Sequence, residues 1–376
     1  MKFTWDRDTK ITAADIPELT EEIIFDDMFN KPIGPNVLPS SLKSVKIGWH
    51  YNQPIGENVL PNSLKTIEFG YEFNQRIGEN VLPDSLESIE LGCCFNQLIG
   101  ENVLPNSLKT IEFGSAFNQP ICENVLPNSL KTIKFGLLFN QPIGENVLPN
   151  SLKILKFIND FNQPIGKNVL PDSLKTVRFG YGFNQPIGEN ILPDSLKVLK
   201  FRCEYNQQID ENVLPKHLEF IRFGCGFNQP IGENVLPRSI KNVEIGELHE
   251  HSLLAFNQSI SALYDLNHLE RISLHTENYI EIDVDCLPSS LKYLYTSNTD
   301  IVISLNPDSH RMWFHVIYTR PYVLLDIVYP ILVDSWYQLN SGYEVIGSEI
   351  IDGKKYDKII NPEFYQPRSN AKSARK

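Results

Sequence analysis

An aromatic-asparagine pair recurs every 22 residues along most of this 376-residue chain. A Leu-Pro pair follows nine residues behind each copy. The ten aromatic positions are Phe29, Tyr51, Phe73, Phe95, Phe117, Phe139, Phe161, Phe183, Tyr205 and Phe227. A fixed period of this length is the signature of stacked structural repeats. The chain is therefore predicted to be a solenoid, which grows by adding coils and not by enlarging one core.

The coil at residues 64–85 shows the pattern within one repeat. Leu64, Ile67 and Phe69 have the L-x-x-L-x-L spacing that is the strand signature of leucine-rich repeats. Ile67 and Phe69 are two residues apart, so both side chains point to the same, inner side of a short strand. The alternation places three residues of this coil on the outward side, Thr66, Glu68 and Gly70.

The return half of each coil argues against a helix. A typical return, FNQPIGENVLP, carries Pro, Gly and two Asn in eleven residues, and these residues favour turns and interrupt helices. The predicted fold class is therefore a β-rich, leucine-rich-repeat-like solenoid. Its coils have 22 residues, with short parallel strands and irregular returns that contain no α-helix.

Two asparagine columns, represented by Asn74 and Asn80, run through all ten coils. One interpretation is a row of ligand-binding groups. We favour a structural role, in which each asparagine bonds backbone groups left unpaired where the chain turns, because a ligand seldom needs ten copies of one group. The aromatic column is interpreted in the same way, as a stacked hydrophobic spine.

The repeat core, FNQPI at residues 117–121, resembles the FNIP repeat, a relative of leucine-rich repeats found mainly in social amoebae and in giant viruses that infect amoebae. The resemblance extends over residues 19–305. Many members of that family carry an F-box before their repeats, which implies substrate recognition for ubiquitin ligation. The first coil here begins near Leu19, so we expect no F-box ahead of the repeats and keep the ubiquitin role as an alternative.

Departures from the repeat predict where the solenoid ends. Thr20 stands where the first coil should carry Leu, which fits a capping coil with a polar outer face. Aromatic and β-branched segments at 313–318 and 322–328 predict strands, and Asp352-Gly353 predicts a hairpin turn. The predicted divisions are an N-terminal cap at 1–28, ten regular coils at 29–246, an insertion and degenerate coils at 247–305, a β-rich C-terminal cap at 306–366 and a basic disordered tail at 367–376.

The outward position between the two inner strand residues changes sign along the chain. We call it the charge column, and its members are Lys46, Glu68, Glu90, Glu112, Lys134, Lys156, Arg178, Lys200, Arg222 and Glu244. If the coils stack as parallel strands, neighbouring backbones lie ~4.8 Å apart. Like charges at that spacing repel by about 1 kcal/mol per pair in a water-like dielectric, and long side chains and salt relieve much of this repulsion.

In the coils that carry the five bases, the neighbouring outward positions become larger and more apolar. An apolar and basic surface predicts binding to a protein partner with an acidic surface. The alternative is drift on a solvated face, with Lys and Arg protecting the sheet from aggregation. The candidate patch comprises Lys134, Ile154, Lys156, Ile158, Arg178, Val198, Lys200, Arg202, Phe220 and Arg222.

Few residues suggest metal or redox chemistry. Cys203 and Cys225 occupy equivalent positions one coil apart, where a disulfide is geometrically conceivable, but no further metal ligand aligns with them. A second cluster lies in the insertion, at Glu247, His249, Glu250 and His251. A His-x-His pair needs another ligand and supporting hydrogen bonds, so we expect solvated side chains there. With no phosphate-binding loop, nucleophile elbow or zinc-finger spacing, we predict no enzyme, cofactor or metal.

Composition limits the kinds of partner and the cellular location that we expect for this chain. The net charge of −12 disfavours nucleic acid, and the patch lacks the aromatic platforms on which bases stack. The N-terminus has no apolar signal region, and the most apolar stretch, residues 322–333, is too short to span a bilayer. We therefore expect an intracellular, non-catalytic scaffold with an unknown protein partner and no membrane association. The alternatives are a ubiquitin-ligase adaptor and a structural virion component.

Overall fold

The computed structural model describes residues 1–246, 255–276, 280–283 and 286–296, together with the backbone of five later strands. The charged and histidine-containing cluster at 247–251, the Asp352-Gly353 turn and the basic tail at 367–376 lie outside the described residues. The part of the chain that the structure describes contains no α-helix, and its complete 3₁₀ turns are Ala13–Asp15 and Ser261–Leu263. No helix found there is long and apolar enough to cross a membrane.

Short strands alternate with irregular returns along the chain. In order, they are β1 (Lys2–Trp5), β2 (Glu22–Phe25), β3 (Ser44–Lys46), β4 (Thr66–Glu68), β5 (Ser88–Glu90), β6 (Thr110–Glu112), β7 (Thr132–Phe135), β8 (Ile154–Phe157), β9 (Thr176–Arg178), β10 (Val198–Lys200), β11 (Phe220–Phe223), β12 (Asn242–Ile245), β13 (Arg271–Leu274), β14 (Glu281–Asp283), β15 (Tyr293–Thr296), β16 (Val302–Ser304), β17 (Met312–Arg320), β18 (Val323–Ile331), β19 (Glu344–Ile351) and β20 (Lys354–Ile360). Strands β1 to β13, β15, β17 and β18 form one sheet in that order.

As far as β17, neighbouring strands of this sheet are parallel, and each residue pairs with the residue 22 positions further along the chain. The two exceptions are the junctions between β1 and β2 and between β12 and β13. Thr66 pairs with Ser88, and Val198 pairs with Phe220, each 22 residues further along the chain. Because each regular coil adds the same number of residues, equivalent side chains form columns that cross the strands. The prediction of a leucine-rich-repeat-like solenoid with returns that are not α-helical is confirmed.

Aromatic rings fill the interior. Phe135 and Phe139 stack within one coil with their ring centroids 3.9 Å apart, and Phe139 stacks on Phe161 of the next coil at 6.1 Å. Offset stacking at these separations adds to the gain from removing apolar surface from water. The same arrangement recurs along the solenoid, which confirms the predicted hydrophobic spine.

The asparagines that follow the aromatic residues form a hydrogen-bonded ladder. The Oδ1 atom of Asn140 accepts the backbone N–H of Asn162 at 2.9 Å and the side-chain amide of Gln163 at 3.1 Å. Equivalent bonds join the other regular coils, as between Asn74 and Asn96. The predicted structural role is confirmed for this column, since each asparagine satisfies a backbone donor of the next coil.

The second asparagine column has a different physical cause. Its residues adopt positive φ angles, such as +58° at Asn80 and +60° at Asn146. Asn is among the few residues other than Gly that enter this left-handed region at modest energy. Backbone conformation therefore explains the second column, where the sequence had suggested hydrogen bonding to the backbone.

Strand β1 is an element that the sequence pattern did not predict. It lacks the L-x-x-L-x-L spacing, yet Lys2 pairs in parallel with Glu22 of β2. Ile11, in the segment that follows β1, is fully buried in the core. Thr20 is also fully buried, and its Oγ1 atom has no hydrogen-bond partner among the described residues. The expectation that Thr20 belongs to a polar outer face is therefore wrong.

The repeat frame extends beyond the point where its sequence signature is lost. Strand β17 contains the segment 313–318 that was predicted as a strand, and it pairs in parallel with β15 at the 22-residue offset, Tyr293 with His315. Strand β18 then pairs with β17 in the antiparallel direction. Strands β19 and β20 form a separate antiparallel pair on either side of the predicted turn.

Candidate interaction surface

The register places the charge column on the outward face of the sheet. Lys134 pairs with Lys156, Lys156 with Arg178, and Lys200 with Arg222 across neighbouring strands. The inner residues between them, such as Leu155, are fully buried. All ten residues of the candidate patch are half-buried, so their side chains lie on the sheet with part of their surface open to solvent.

An apolar row runs beside these cations. Ile154 pairs with Thr176, Thr176 with Val198, and Val198 with Phe220. Each member of this row lies two residues from a member of the charge column on the same strand, and therefore on the same face. The structure thus brings together in two adjacent rows all the predicted patch residues except Ile158 and Arg202.

Ile158 and Arg202 occupy a third position, which is Gly in the other regular coils. The predicted outward orientation of this position is wrong at the glycines. A Cβ atom on Gly114 would lie 1.8 Å from the carbonyl oxygen of Gly92, so this position faces the backbone of the preceding coil. Ile158 and Arg202 are half-buried at the edge of the patch.

Aromatic rings hold two of the cations against the sheet. The Lys200 amine lies 4.6 Å from the centroid of the Phe220 ring. The Arg202 guanidinium lies 3.6 Å from the Tyr181 ring centroid and donates a hydrogen bond to the Tyr181 hydroxyl. Contacts of this kind attract a cation electrostatically and restrict its motion. Sequence reasoning missed Tyr181, which would have been found by comparing the column that follows the glycine position.

Ion pairs within the chain lie at both ends of the basic run, which is the five consecutive cations of the charge column from Lys134 to Arg222. Lys134 Nζ lies 2.6 Å from Glu112, and Arg222 Nε lies 2.5 Å from Glu244. Lys156, in the interior of the run, makes no ion pair with any described residue. The two acids next to the run in the charge column thus pair with its terminal cations, Lys134 and Arg222.

A second column of lysines, at the residue before each strand, was missed in the sequence. Where this column contains an acid, the acid pairs with the lysines on both sides. Glu87 contacts Lys65 at 3.0 Å and Lys109 at 2.5 Å, and Glu219 contacts Lys197 at 2.6 Å and Lys241 at 2.9 Å. We call these two groups ladders. Between these ladders the column carries only lysines and the residues are exposed. We call Lys131, Lys153 and Lys175 the lysine column. From β7 to β10 the lysine column, Lys197 and the charge column together present eight cations and no acid.

The N-terminal half of the same face is acidic. Glu68 is paired with Lys46, whereas Glu90 makes no ion pair with any described residue. Partial burial and the neighbouring carboxylates of Glu112 and Glu68 raise the pKa of Glu90. The negative charge of this carboxylate is therefore not compensated by an adjacent cation.

An exposed aromatic pair lies just beyond β3 and β4. The rings of Trp49 and Tyr71 stack with centroids 4.4 Å apart and an interplanar angle of 3°. Their exposed fractions are 48% and 42%, which is high for side chains of this size. The acidic half therefore also offers apolar contact area.

Groups that could support metal or redox chemistry are not brought together in the described structure. No disulfide joins the cysteines there, and Cys203 and Cys225 remain separate thiols. No group of three or more His, Cys, Asp and Glu side chains could hold a metal ion among the residues described. The cluster predicted around His249 and His251 is outside them.

Parallel in-register strands and 22-residue coils define the class of this chain as a leucine-rich-repeat-like β-solenoid, a repeat scaffold. The FNIP repeat model matches residues 8–49, 51–94, 95–137, 139–182 and 183–226, which is more than half of the chain. The chain therefore belongs to the FNIP-repeat family, as the resemblance predicted.

Solved structures agree with this assignment. The chain is similar to CroV588 from the giant virus CroV, described as a novel circular leucine-rich-repeat protein, with 42% identity and a TM-score of 0.58. The match covers 77% of this chain and 49% of CroV588, so this chain spans about half the length of that protein. The Drosophila Toll–Spätzle complex gives 14% identity and a TM-score of 0.50 over 82% of this chain and 52% of that one, which shows the fold alone. Comparison with curated proteins gives no match.

Proposed function

We propose that this chain is a non-catalytic scaffold that binds another protein through the outward face of its parallel sheet. The observation that carries the proposal is the block of eight cations without an acid from β7 to β10, in two columns on or beside one face. Ion pairs lie at the edges of the block, Lys134 with Glu112 and Lys197 with Glu219, and Lys156 in its interior makes no ion pair with a described residue. A surface with such an excess of cations over acids favours a partner of opposite charge.

The chemistry of the patch indicates a protein surface as the partner. Ile154, Val198 and Phe220 add apolar area beside the cations, and burial of such area contributes affinity that charge alone does not. Arg202, lying against Tyr181, presents a planar guanidinium that can bind a carboxylate with two hydrogen bonds. An acidic segment with some apolar side chains satisfies both features.

RNA is a weaker candidate for the same face. The net charge is −12, and Glu68, Glu90 and Glu112 lie on the continuation of the charge column. A long polyanion that followed the column would meet these acids. A protein partner can confine its acidic residues to the basic half. We propose that this binding takes place inside the cell.

The proposal is tested with a chain in which Lys156, Arg178, Lys200 and Arg222 are all changed to Glu. A matched control changes four cations of the return segments, Arg76, Lys167, Lys216 and Arg238, to Glu, which alters the net charge equally. Proteins captured from amoebal lysate are compared for both variants and the wild type. Binding of a labelled glutamate-rich peptide and of single-stranded RNA is measured in parallel.

We expect the patch variant to lose its captured partners and the peptide, and the control variant to retain both, with each variant folded by circular dichroism. Unchanged partners in the patch variant would contradict the proposal. A wild-type chain that binds the RNA and not the peptide, with the RNA binding lost in the patch variant, would do so as well. Recovery of ubiquitin-ligase subunits would instead support the adaptor role that the family resemblance implies.

A further inference from the structure

The charge column reverses its sign about its own midpoint, which lies between Lys134 and Lys156. Counted inward from the two ends, four of its five residue pairs have opposite charges. These are Lys46 with Glu244, Glu68 with Arg222, Glu90 with Lys200, and Glu112 with Arg178. Only the central pair, Lys134 with Lys156, has like charges. Antisymmetry of this kind makes a surface complementary to itself after rotation.

The rotation that brings these opposite charges together is a two-fold rotation about an axis parallel to the strands. Such an axis, placed between two sheets that face each other, keeps the strand direction and reverses the order of the coils. The coil of Glu90 in one copy then faces the coil of Lys200 in the other. Because neighbouring strands of the column pair in register, each of the four opposite-charge pairs falls on coils that face each other in this arrangement.

We propose that a second copy of this chain docks on the outward sheet face, with the coils antiparallel and the charge column of one copy on that of the other. The interface is isologous, so each opposite-charge pair occurs twice. The inference rests on the sheet face of the proposed function: the acidic half of the second copy is one acidic surface that the patch would bind.

Contacts on the described face agree with this arrangement. Glu90 is exposed and makes no ion pair with a described residue, and its opposite position, Lys200, is half-buried beside Phe220. The repulsion of the central like-charge pair is reduced because Lys134 already contacts Glu112.

Two features limit the strength of the association. The lysine column would face itself across the axis, and this repulsion opposes the attraction of the charge column. Charges on exposed side chains are also screened by salt. We therefore expect a weak, salt-sensitive dimer.

The test is charge reversal at one predicted pair. In sedimentation velocity over a concentration series at low salt, Glu90→Lys and Lys200→Glu should each weaken the dimer by about tenfold or more, since each replaces two attractions by two repulsions. A mixture of the two variants restores attraction at both positions, so it should form a heterodimer at least as tight as the wild-type dimer. The double variant Glu90→Lys/Lys200→Glu should also recover self-association.

A register control mixes Glu90→Lys with Arg222→Glu. Their heterodimer would contain one repulsion at positions 90 and 200 and one at positions 68 and 222, so it should be no tighter than the homodimer of either variant. Two results would overturn the inference. One is association in this mixture as tight as in the mixture of Glu90→Lys with Lys200→Glu. The other is a wild-type chain that stays monomeric at about 100 µM in low salt, which corresponds to a Kd weaker than about 100 µM. The wild type alone supplies a test that no folding defect can obscure: association should weaken as NaCl rises from about 0.05 M to about 0.5 M. A monomer that still binds the glutamate-rich peptide refutes only the dimer, and a dimer that does not bind it refutes only the acidic partner.

Discussion

The carbonyl oxygen of Gly48 lies so close to Gly70 that a Cβ atom added to Gly70 would sit 1.8 Å from it. The oxygen belongs to the backbone of the preceding coil, so no side-chain rotation can relieve the contact. The close approach of these two coils therefore depends on the absence of a side chain at Gly70.

We expect Gly70→Ala to destabilise the chain by about 3 kcal/mol or more, because two coils must separate to admit the methyl group. The matched control is Gly56→Ala, where nothing lies within 4 Å of the added atom. That change should be neutral or stabilising by up to about 1 kcal/mol, through the lower entropy of the unfolded chain. Urea unfolding followed by circular dichroism compares the two, and equal midpoints would contradict the close-packing argument.

A second prediction concerns a buried hydroxyl in the aromatic spine. Tyr205 is fully buried, its Oη atom has no hydrogen-bond partner among the described residues, and burial raises its pKa. A buried polar atom without a partner has lost its water and gained nothing in exchange. Tyr205→Phe should therefore stabilise the chain by about 1 kcal/mol.

The control for Tyr205 is the reverse change one coil earlier. Phe183 stacks on Tyr205 with the ring centroids 6.1 Å apart, and it occupies the same column. Phe183→Tyr should destabilise the chain by a similar amount, as measured by the same urea titration. If Tyr205→Phe lowers the midpoint, the hydroxyl has a stabilising partner and the argument is wrong.

The two asparagine columns separate what the sequence could predict from what it could not. The periodicity predicted a structural role for both columns, because a feature repeated in every coil is expected to serve the stacking of coils. It could not tell that the first, represented by Asn140, works through its side-chain oxygen and the second, represented by Asn146, through its φ angle. Both causes select the same residue type, so only the backbone conformation distinguishes them.

The sequence also predicted only part of the candidate surface. The sign pattern of the charge column followed from the strand alternation and the constant period, and all its members lie in one row as expected. The lysine column was missed because it lies outside the alternating positions of the strand. Strand β1 and the burial of Thr20 were missed because Lys2–Trp5 carries none of the repeat signature. Single departures from a repeat depend on tertiary contacts that a periodic pattern does not encode.

The difference between the two columns gives a third prediction within one coil. Asn140→Ala removes the acceptor of two hydrogen bonds and leaves the backbone N–H of Asn162 without its partner, which should cost about 1–3 kcal/mol. Asn146→Gly should change stability by less than about 0.5 kcal/mol, because Gly adopts the +60° angle at no steric cost.

The reciprocal changes serve as controls. Asn140→Asp keeps an acceptor oxygen in the place of Oδ1 and should retain most of the stability that Asn140→Ala loses. Asn146→Ala forces a residue with a Cβ into the left-handed region and should cost about 1 kcal/mol. Differential scanning calorimetry of the four variants tests the assignment, and an Asn146→Gly variant as strongly destabilised as Asn140→Ala would contradict it.

The last prediction concerns pH and the ladder at Glu219. Hydrogen bonds from Lys197 and Lys241 lower the pKa of this carboxyl to about 2, from an ordinary value of 4.5. The folded chain thus holds Glu219 in its charged form more strongly than the unfolded chain does. The stabilisation from this ladder is complete above the ordinary pKa and is lost as pH falls from about 4.5 to about 2.

Glu219→Gln isolates this contribution. The Glu219 side chain is 32% exposed, so we expect a loss of only about 0.5–1 kcal/mol at pH 7, and less in high salt. The difference between wild type and variant should shrink as the pH is lowered from 5 towards 2 and should vanish near the bottom of that range. Glu211→Gln, on an exposed return segment, controls for the change in net charge. A difference that stays constant across this pH range in urea unfolding would show that the ladder does not stabilise the fold through the charge of Glu219.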